Sequence, residues 1–174
     1  MIASDLVAVL LGAGAVACSL GDLDRGPRKL WRLAVPPLLG LPASLLSASA
    51  SFGNIVLDLS WLCVAAFGWS LGSSRGQSIP VATDQVWGTV RTARTGDGAI
   101  GAAMLLAVVT IDGLSSYLPL VAGRGGAIGL DALRLVGALS AGYLGGRAWS
   151  LILAAARTPH TALGVAGAPV SGGD

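Results

Sequence analysis

Charged residues are scarce in this sequence: they make up 11% of its 174 residues, and glutamate is absent. A typical soluble domain is about 25% charged. With a hydrophobic fraction of 53% and a mean hydropathy of +0.74, the chain has too few charges to cover a water-exposed globule. Its 26 glycines lie within apolar runs, which is typical of tightly packed membrane helices. The composition therefore predicts a single-domain, all-α membrane protein with the lipid bilayer as its main partner.

Histidine and cysteine are also rare, with His160 as the one histidine and Cys18 and Cys63 as the two cysteines. The cysteines are 45 positions apart and form no CxxC motif, so we expect buried apolar thiols rather than a redox pair. Too few ligands remain for a metal site built from histidine and cysteine. We therefore expect no metal and no other cofactor.

Motifs for nucleic acids, nucleotides and secretion are missing. No basic run is interleaved with aromatic residues, which argues against a nucleic-acid partner, and no GxxxxGK[ST] phosphate loop is present. Residues 1–5 hold no basic side chain, so the first apolar run lacks the start of a signal peptide. Residues 15–18 are similar to a lipoprotein cleavage box, but a retained first span is the favoured interpretation.

Apolar runs divide the chain into segments long enough to cross a bilayer, for which about 20 helical residues suffice. They predict a bundle of about five transmembrane helices within residues 1–157, at about 6–20, 33–52, 55–73, 99–122 and 130–156. We expect the fourth of these segments to organise the fold. Residues 158–174 are small and polar, which predicts a disordered cytoplasmic tail.

Two regions depart from plain helix. Prolines 36, 37 and 42 fall in the first half of the second segment, which predicts a kinked, irregular or re-entrant span. The polar loop 75–98 contains the β-prone stretches 79–82 and 86–90, which favour a small hairpin.

Three charges inside the apolar segments are candidates for a functional cluster. Asp112 is near the middle of the fourth, where a carboxylate costs roughly 2.5–3.5 kcal/mol unless it faces protein or water. Asp58 is one turn inside the third, and Arg134 is near the start of the fifth. The spacing predicts an intramembrane polar cluster of Asp58, Asp112 and Arg134. Arg147 is expected to point away from this cluster. Its side chain should extend toward the membrane surface at the C-terminal end of the fifth segment.

The distribution of basic residues predicts the orientation. With five spans, one side of the membrane receives the first loop, the long loop and the tail, which hold Arg25, Arg28, Lys29, Arg32, Arg75, Arg91, Arg94 and Arg157. The other side receives only Arg124 and, at the mouth of its span, Arg134. The positive-inside rule therefore predicts an outside N-terminus and a cytoplasmic C-terminus.

Small residues line one face of the third segment and one face of the fifth. Gly68 and Gly72 form a GxxxG motif, and Ala138, Ala141 and Gly145 follow Arg134 on one side of the fifth. Such faces allow helix backbones to approach closely. They predict packing within the chain, in a homo-oligomer or with another membrane protein.

From residue 61 onward, the sequence has a glycine-rich span end with a following arginine (68–75), the β-prone stretch 79–90, another span, and a last span containing Gly145-Gly146-Arg147. This order of features resembles a family of small bacterial inner-membrane proteins related to the cytochrome c biogenesis protein CcdC. The resemblance implies a bacterial inner-membrane protein of four to six helices. It transfers no functional residue, and the missing thiol motif leaves a role in cytochrome maturation unsupported.

Three classes of function follow from these features. The favoured hypothesis is a structural or assembly-type membrane subunit, in which the buried charges fix helix register. The alternative is a small proton- or solute-conducting transporter that uses Asp112 with Asp58 and Arg134. Catalysis by two carboxylates is the third, but no catalytic motif accompanies them, so no catalytic residue is expected.

Overall fold

The computed structural model describes residues 3–21, 26–49, 53–84, 87–93, 95–115 and 124–159, with the side chains of 124–128 left aside. Within these ranges the chain forms five α-helices: α1 (Ala3–Leu20), α2 (Val35–Ala48), α3 (Ile55–Gln77), α4 (Asp97–Ser115) and α5 (Arg124–Arg157). A 3₁₀ helix (Leu30–Leu33) leads into α2. Three short strands complete the fold: β1 (Arg28–Lys29), β2 (Val81–Asp84) and β3 (Thr89–Thr92).

The predominantly helical fold is confirmed, and its helices are long. Four helical segments in the described ranges have the length and apolar composition to cross a membrane: α1, the combined segment Leu30–Ala48, α3 and α4. The fifth helix begins at Arg124, six residues before the predicted start of the fifth segment at about residue 130. Residues 50–52 and 116–122 of the predicted spans lie outside the described residues, as does most of the predicted tail.

The prolines of the second segment disturb its helix less than the sequence predicts. Pro36 and Pro37 occupy the first turn of α2, where backbone N–H groups have no helical partner and a fixed φ favours helix initiation. Pro42 lies inside the helix, which nevertheless continues to Ala48. Pro36 and Pro37 therefore help to start α2, and Pro42 does not end it.

The helices alternate in direction. Asp5 of α1 lies beside Gly113 of α4 and Gly12 lies beside Leu106, so these two helices are antiparallel. Equivalent contacts make α4 antiparallel to α5 and α2 parallel to α4. The C-terminal ends of α1, α3 and α5 therefore meet at the end of the bundle that carries the strands, called here the sheet end. The opposite end is called the far end.

Helix α5, rather than the predicted fourth segment, is the centre of the fold. It packs against α2, α3, α4, the 3₁₀ helix and β2. Its buried side chains are Ala138, Ser140, Ala141, Leu144, Arg147, Ala148, Ser150, Leu151 and Ala155. Because protein surrounds much of α5, this helix can carry polar side chains that a lipid-facing helix could not.

Within the described ranges, α5 is the only helix against which α3 packs extensively. A Cβ atom added to Gly72 would overlap the carbonyl oxygen of Tyr143, and one added to Gly146 would overlap that of Trp69. Gly68 and Gly142 lie similarly close to the opposite backbone, and Gly76 lies against the Ser150 hydroxyl and the Arg147 carbonyl. The Ser73 hydroxyl also donates to the Gly146 carbonyl at 3.3 Å. The two small-residue faces therefore pack on each other, with the helix backbones in contact.

The strands form one antiparallel sheet with the order β1-β3-β2. The predicted hairpin is confirmed as β2 and β3, in which Thr83 pairs with Val90. Strand β1 comes from the first polar loop and was not predicted. Leu33, Ile79 and Leu151 form a small apolar cluster between the sheet and α5. This cluster fixes the sheet on the C-terminal end of α5.

Large apolar side chains point outward from the bundle. On α3, the exposed residues include Ile55, Val56, Leu59, Leu62, Phe67 and Leu71, whereas the buried ones are Gly68, Gly72 and Gly76. This arrangement is the reverse of a soluble helix, which buries its large apolar residues. Cys18 and Cys63 are free thiols on this exposed surface, so the prediction that they are buried is wrong.

Candidate functional site

A polar cluster at the far end of the bundle joins α2, α4 and α5. Arg134 of α5 meets one carboxylate oxygen of Asp112, with Nε and Nη2 both 3.1 Å from Oδ1. The Ser47 hydroxyl of α2 donates to the other oxygen, Oδ2, at 2.8 Å. The two charged side chains are only 11% and 17% exposed. Both oxygens of Asp112 are therefore engaged in a largely buried site, called here the far-end ion pair.

Asp131 is a further member of the far-end cluster. Its Oδ1 lies 3.3 Å from Nη1 of Arg134, three residues along the same helix. The cluster predicted from the sequence did not include Asp131. The (i, i+3) spacing of Asp131 and Arg134 is the signal that could have found this contact, since such residues are neighbours on a helix surface.

Asp58 lies near this cluster without joining it. Among the described residues, Asp58 has neither Asp112 nor Arg134 as a hydrogen-bond or ion-pair partner; its Oδ2 accepts the Gly53 N–H at 3.4 Å. Asp58, Trp61, Asp131 and Arg134 line a cavity of about 20 Å³, room for about one water molecule. The structure therefore brings Asp112 and Arg134 together and places Asp58 across a small cavity, at the start of α3.

A second polar cluster lies at the sheet end, where sequence reasoning predicted none. Nε of Arg147 is 3.3 Å from Oδ2 of Asp97, and its Nη2 donates to Thr95 at 2.9 Å. The Tyr143 hydroxyl donates to the same Asp97 oxygen at 2.9 Å, and Nε of Arg75 lies 3.5 Å from it. We call the contact between Asp97 and Arg147 the sheet-end ion pair.

The predicted orientation of Arg147 is wrong. Its side chain is buried, with 6% of the residue exposed, and it is held between α5 and the start of α4. The sequence contains a signal for this pairing. Asp97 and Asp112 are 15 residues apart on α4, and Arg134 and Arg147 are 13 apart on α5. When the two helices pack antiparallel, a single register therefore places Asp112 beside Arg134 and Asp97 beside Arg147.

The two ion pairs connect α4 to α5 at opposite ends. At 1.5 Å per residue they are about 20 Å apart along the helices. An apolar cluster that includes Ala102, Leu105, Val109 and Leu144 fills the space between them. The arrangement can fix the register of α4 on α5, because sliding either helix by one turn would break both ion pairs.

Two larger cavities open on the surface of the bundle. One, of about 420 Å³, lies at the sheet end and is lined by Ala17, Cys18, Gly21, Arg28, Trp31, Arg32, Leu33 and Val35. The other, of about 260 Å³, is an apolar groove lined mainly by α3, α4 and α5, with Asp97 and Tyr143 in its wall. Over the described ranges, no group of three or more His, Cys, Asp or Glu side chains is placed to hold a metal ion.

No protein-family model, curated protein or solved structure matches this chain. The resemblance to CcdC-related proteins therefore stays a prediction, and the geometry of the bundle carries the functional inference.

Proposed function

We propose that this chain is an integral protein of the bacterial inner membrane, and that its helices cross the bilayer. The outward-facing apolar residues of α3 support this placement, because exposing them to water would be unfavourable by about 25 cal/mol for each Å² of apolar surface. The buried polar groups support it as well. Asp112, Arg134, Asp97 and Arg147 are paired inside the bundle, which is where ionisable groups belong in a lipid-embedded protein.

The proposed orientation places the sheet end in the cytoplasm and the N-terminus outside. Most of the described basic side chains lie at the sheet end, including Arg28, Lys29, Arg32, Arg75, Arg91 and Arg157, whereas Arg134 lies at the far end. Trp31 and Trp87 are also at this end and are 60% and 76% exposed. Exposed tryptophans are typical of the level of the lipid headgroups.

Cysteine labelling in intact cells tests the orientation. In a variant with Cys18→Ser and Cys63→Ser, we expect Ile2→Cys to react with a membrane-impermeant maleimide added outside. Thr161→Cys should react only after the inner membrane is permeabilised. Labelling of both positions from the same side would contradict five crossings, and release of the protein by alkaline carbonate would contradict membrane insertion.

Within the membrane, we propose a structural or assembly-type role. The observation that carries this proposal is the engagement of both oxygens of Asp112, one by Arg134 and the other by Ser47. A carboxylate held in this way joins α4 to both α2 and α5, which supports a role in fixing helix register. Because the small-residue faces of α3 and α5 pack on each other, a second copy or another membrane protein would bind a different surface. The mass of the detergent-solubilised protein distinguishes a monomer from a stable oligomer.

Proton or solute conduction is the second candidate, and one observation favours it. The Ser44 hydroxyl is buried and has no hydrogen-bond partner among the described residues, and it lies one turn along α2 from Ser47. The two serines therefore extend the Asp112 cluster toward the middle of the bundle.

A liposome assay separates the two candidates. From the structural role we expect proteoliposomes to show no proton flux above that of protein-free liposomes, with and without the substitution Asp112→Asn. Ser60→Ala serves as the matched control, since the Ser60 hydroxyl only bonds the Val56 carbonyl within α3. A flux that Asp112→Asn abolishes and Ser60→Ala preserves would replace the structural role with conduction.

A further inference from the structure

The cavity of about 420 Å³ at the sheet end combines positive charge with apolar walls. It lies between the C-terminal end of α1 and the start of α2, in the part of the chain proposed to meet the cytoplasmic leaflet. Its volume is within the range of small-ligand sites, about 300–1,000 Å³. The cavity is therefore large enough for a lipid headgroup.

Two arginines supply the charge of this cavity. The guanidinium group of Arg28 packs against Gly21 at the end of α1, and that of Arg32 lies 5.8 Å from the ring centre of Trp31. An arginine can donate two parallel hydrogen bonds to a phosphate group, which makes it well suited to anionic headgroups. The cavity wall therefore contains two guanidinium groups, and both come from the short stretch of chain that leads into α2.

The rest of the cavity wall is mainly apolar, with an exposed tryptophan at its rim. Ala17, Leu33 and Val35 supply apolar surface, and Trp31 is largely exposed at the rim. The cavity therefore has a polar side for a phosphate and an apolar side for the first carbons of an acyl chain. A free inorganic anion would contact only the polar side.

We propose that this cavity binds the headgroup of an anionic phospholipid, with its phosphate on Arg28 and Arg32. The inference rests on the proposed membrane placement, in which basic residues of the cytoplasmic side face a leaflet that contains anionic lipid. The apolar wall holds the glycerol and acyl carbons. Bound lipid fixes the end of α1 against the start of α2.

The chain contains its own reporter for this site. Cys18 lies in the cavity wall, and Cys63 is a second free and exposed thiol, on α3 and outside the cavity lining. We expect dioctanoyl-phosphatidylglycerol, added to the full chain in neutral detergent, to slow alkylation of Cys18 by N-ethylmaleimide and to leave Cys63 unchanged. Dioctanoyl-phosphatidylcholine and inorganic phosphate should not protect Cys18. Peptide mass spectrometry measures both rates in one sample.

Matched arginine variants complete the test. Arg32→Gln should raise the phosphatidylglycerol concentration needed for half-protection about tenfold, because it removes a charge-assisted contact to the phosphate. Arg157→Gln removes an exposed positive charge from the same end of the bundle, outside the cavity, and should leave that concentration unchanged. An equal effect of the two substitutions would overturn the site, because it would indicate general surface charge.

Other outcomes also overturn the proposal. Equal protection by both lipids would indicate a non-selective apolar contact, and protection by inorganic phosphate alone would indicate a soluble-anion site. Absence of protection by any of them would remove the site. Carbonate extraction of the same protein from liposomes separates these failures from a failure of the membrane placement. A chain that stays inserted but shows no lipid selectivity overturns the headgroup site alone.

Discussion

Replacing Gly146 with alanine is expected to separate α3 from α5. The new Cβ would overlap the Trp69 carbonyl oxygen, and backbone atoms cannot move aside as a flexible side chain can. Overpacking a tight contact costs typically about 1–3 kcal/mol. Because this contact is between backbones, we expect a loss of about 3 kcal/mol in the free energy of unfolding. For a chain of this size, that loss corresponds to a decrease of about 6–12 °C in Tm, measured in detergent.

The control for this prediction lies on the same helix. Among the described residues, no atom lies within 4 Å of a Cβ added to Gly129, which is exposed on α5. Alanine is the better helix former by about 0.5–1 kcal/mol, so Gly129→Ala should leave Tm unchanged or raise it slightly. The same chemical change should therefore have opposite effects at two positions of one helix. Equal shifts in Tm at both positions would refute the close contact of α3 with α5.

The second large effect is expected at the far-end ion pair. Asp112→Asn leaves the largely buried guanidinium of Arg134 without its main partner. Removing one member of a buried ion pair costs about 3–5 kcal/mol. Since Asp131 remains 3.3 Å from Arg134, we expect the lower limit, about 3 kcal/mol. Equilibrium unfolding of the detergent-solubilised protein measures this loss.

Two further variants make this prediction specific. Asp131→Asn removes a partner of the same arginine, but Asp131 is 35% exposed, so its loss should cost less than about 1 kcal/mol. Replacing the pair as a whole, with Asp112→Leu and Arg134→Met, should recover most of the stability lost in Asp112→Asn, because no largely buried charge is left unpaired. Asp131 loses Arg134 in this variant, but its side chain is 35% exposed and water can solvate it. If the double variant were less stable than Asp112→Asn, the polar contacts themselves, rather than charge pairing, would hold the helices.

Sequence reasoning succeeded where the signal is local. Apolar length predicted the helices, and the β-prone stretches predicted the hairpin of β2 and β3. Strand β1 was missed because its two residues, Arg28 and Lys29, have no strand pattern of their own and depend on pairing with β3.

Partner choice between helices was harder to predict. Arg147 was expected to extend toward the membrane surface because its partner Asp97 belongs to another helix, and only the antiparallel register brings them together. The central place of α5 was missed for the same reason, because it follows from contacts with several other elements that are distant in sequence. The cysteines show a further limit: a small apolar thiol can face either lipid or protein, and composition does not distinguish the two.

The dependence of α3 on α5 has a consequence for biogenesis. α3 is made before α5, yet α5 supplies its only extensive protein contact in the described part of the chain. In the proposed membrane placement, a chain that inserts its segments in order of synthesis leaves α3 surrounded by lipid until α5 is inserted. A chain that lacks α5 would leave α3 without this protein partner. Its glycine face (Gly68, Gly72 and Gly76) would then be open to the quality-control proteases of the membrane.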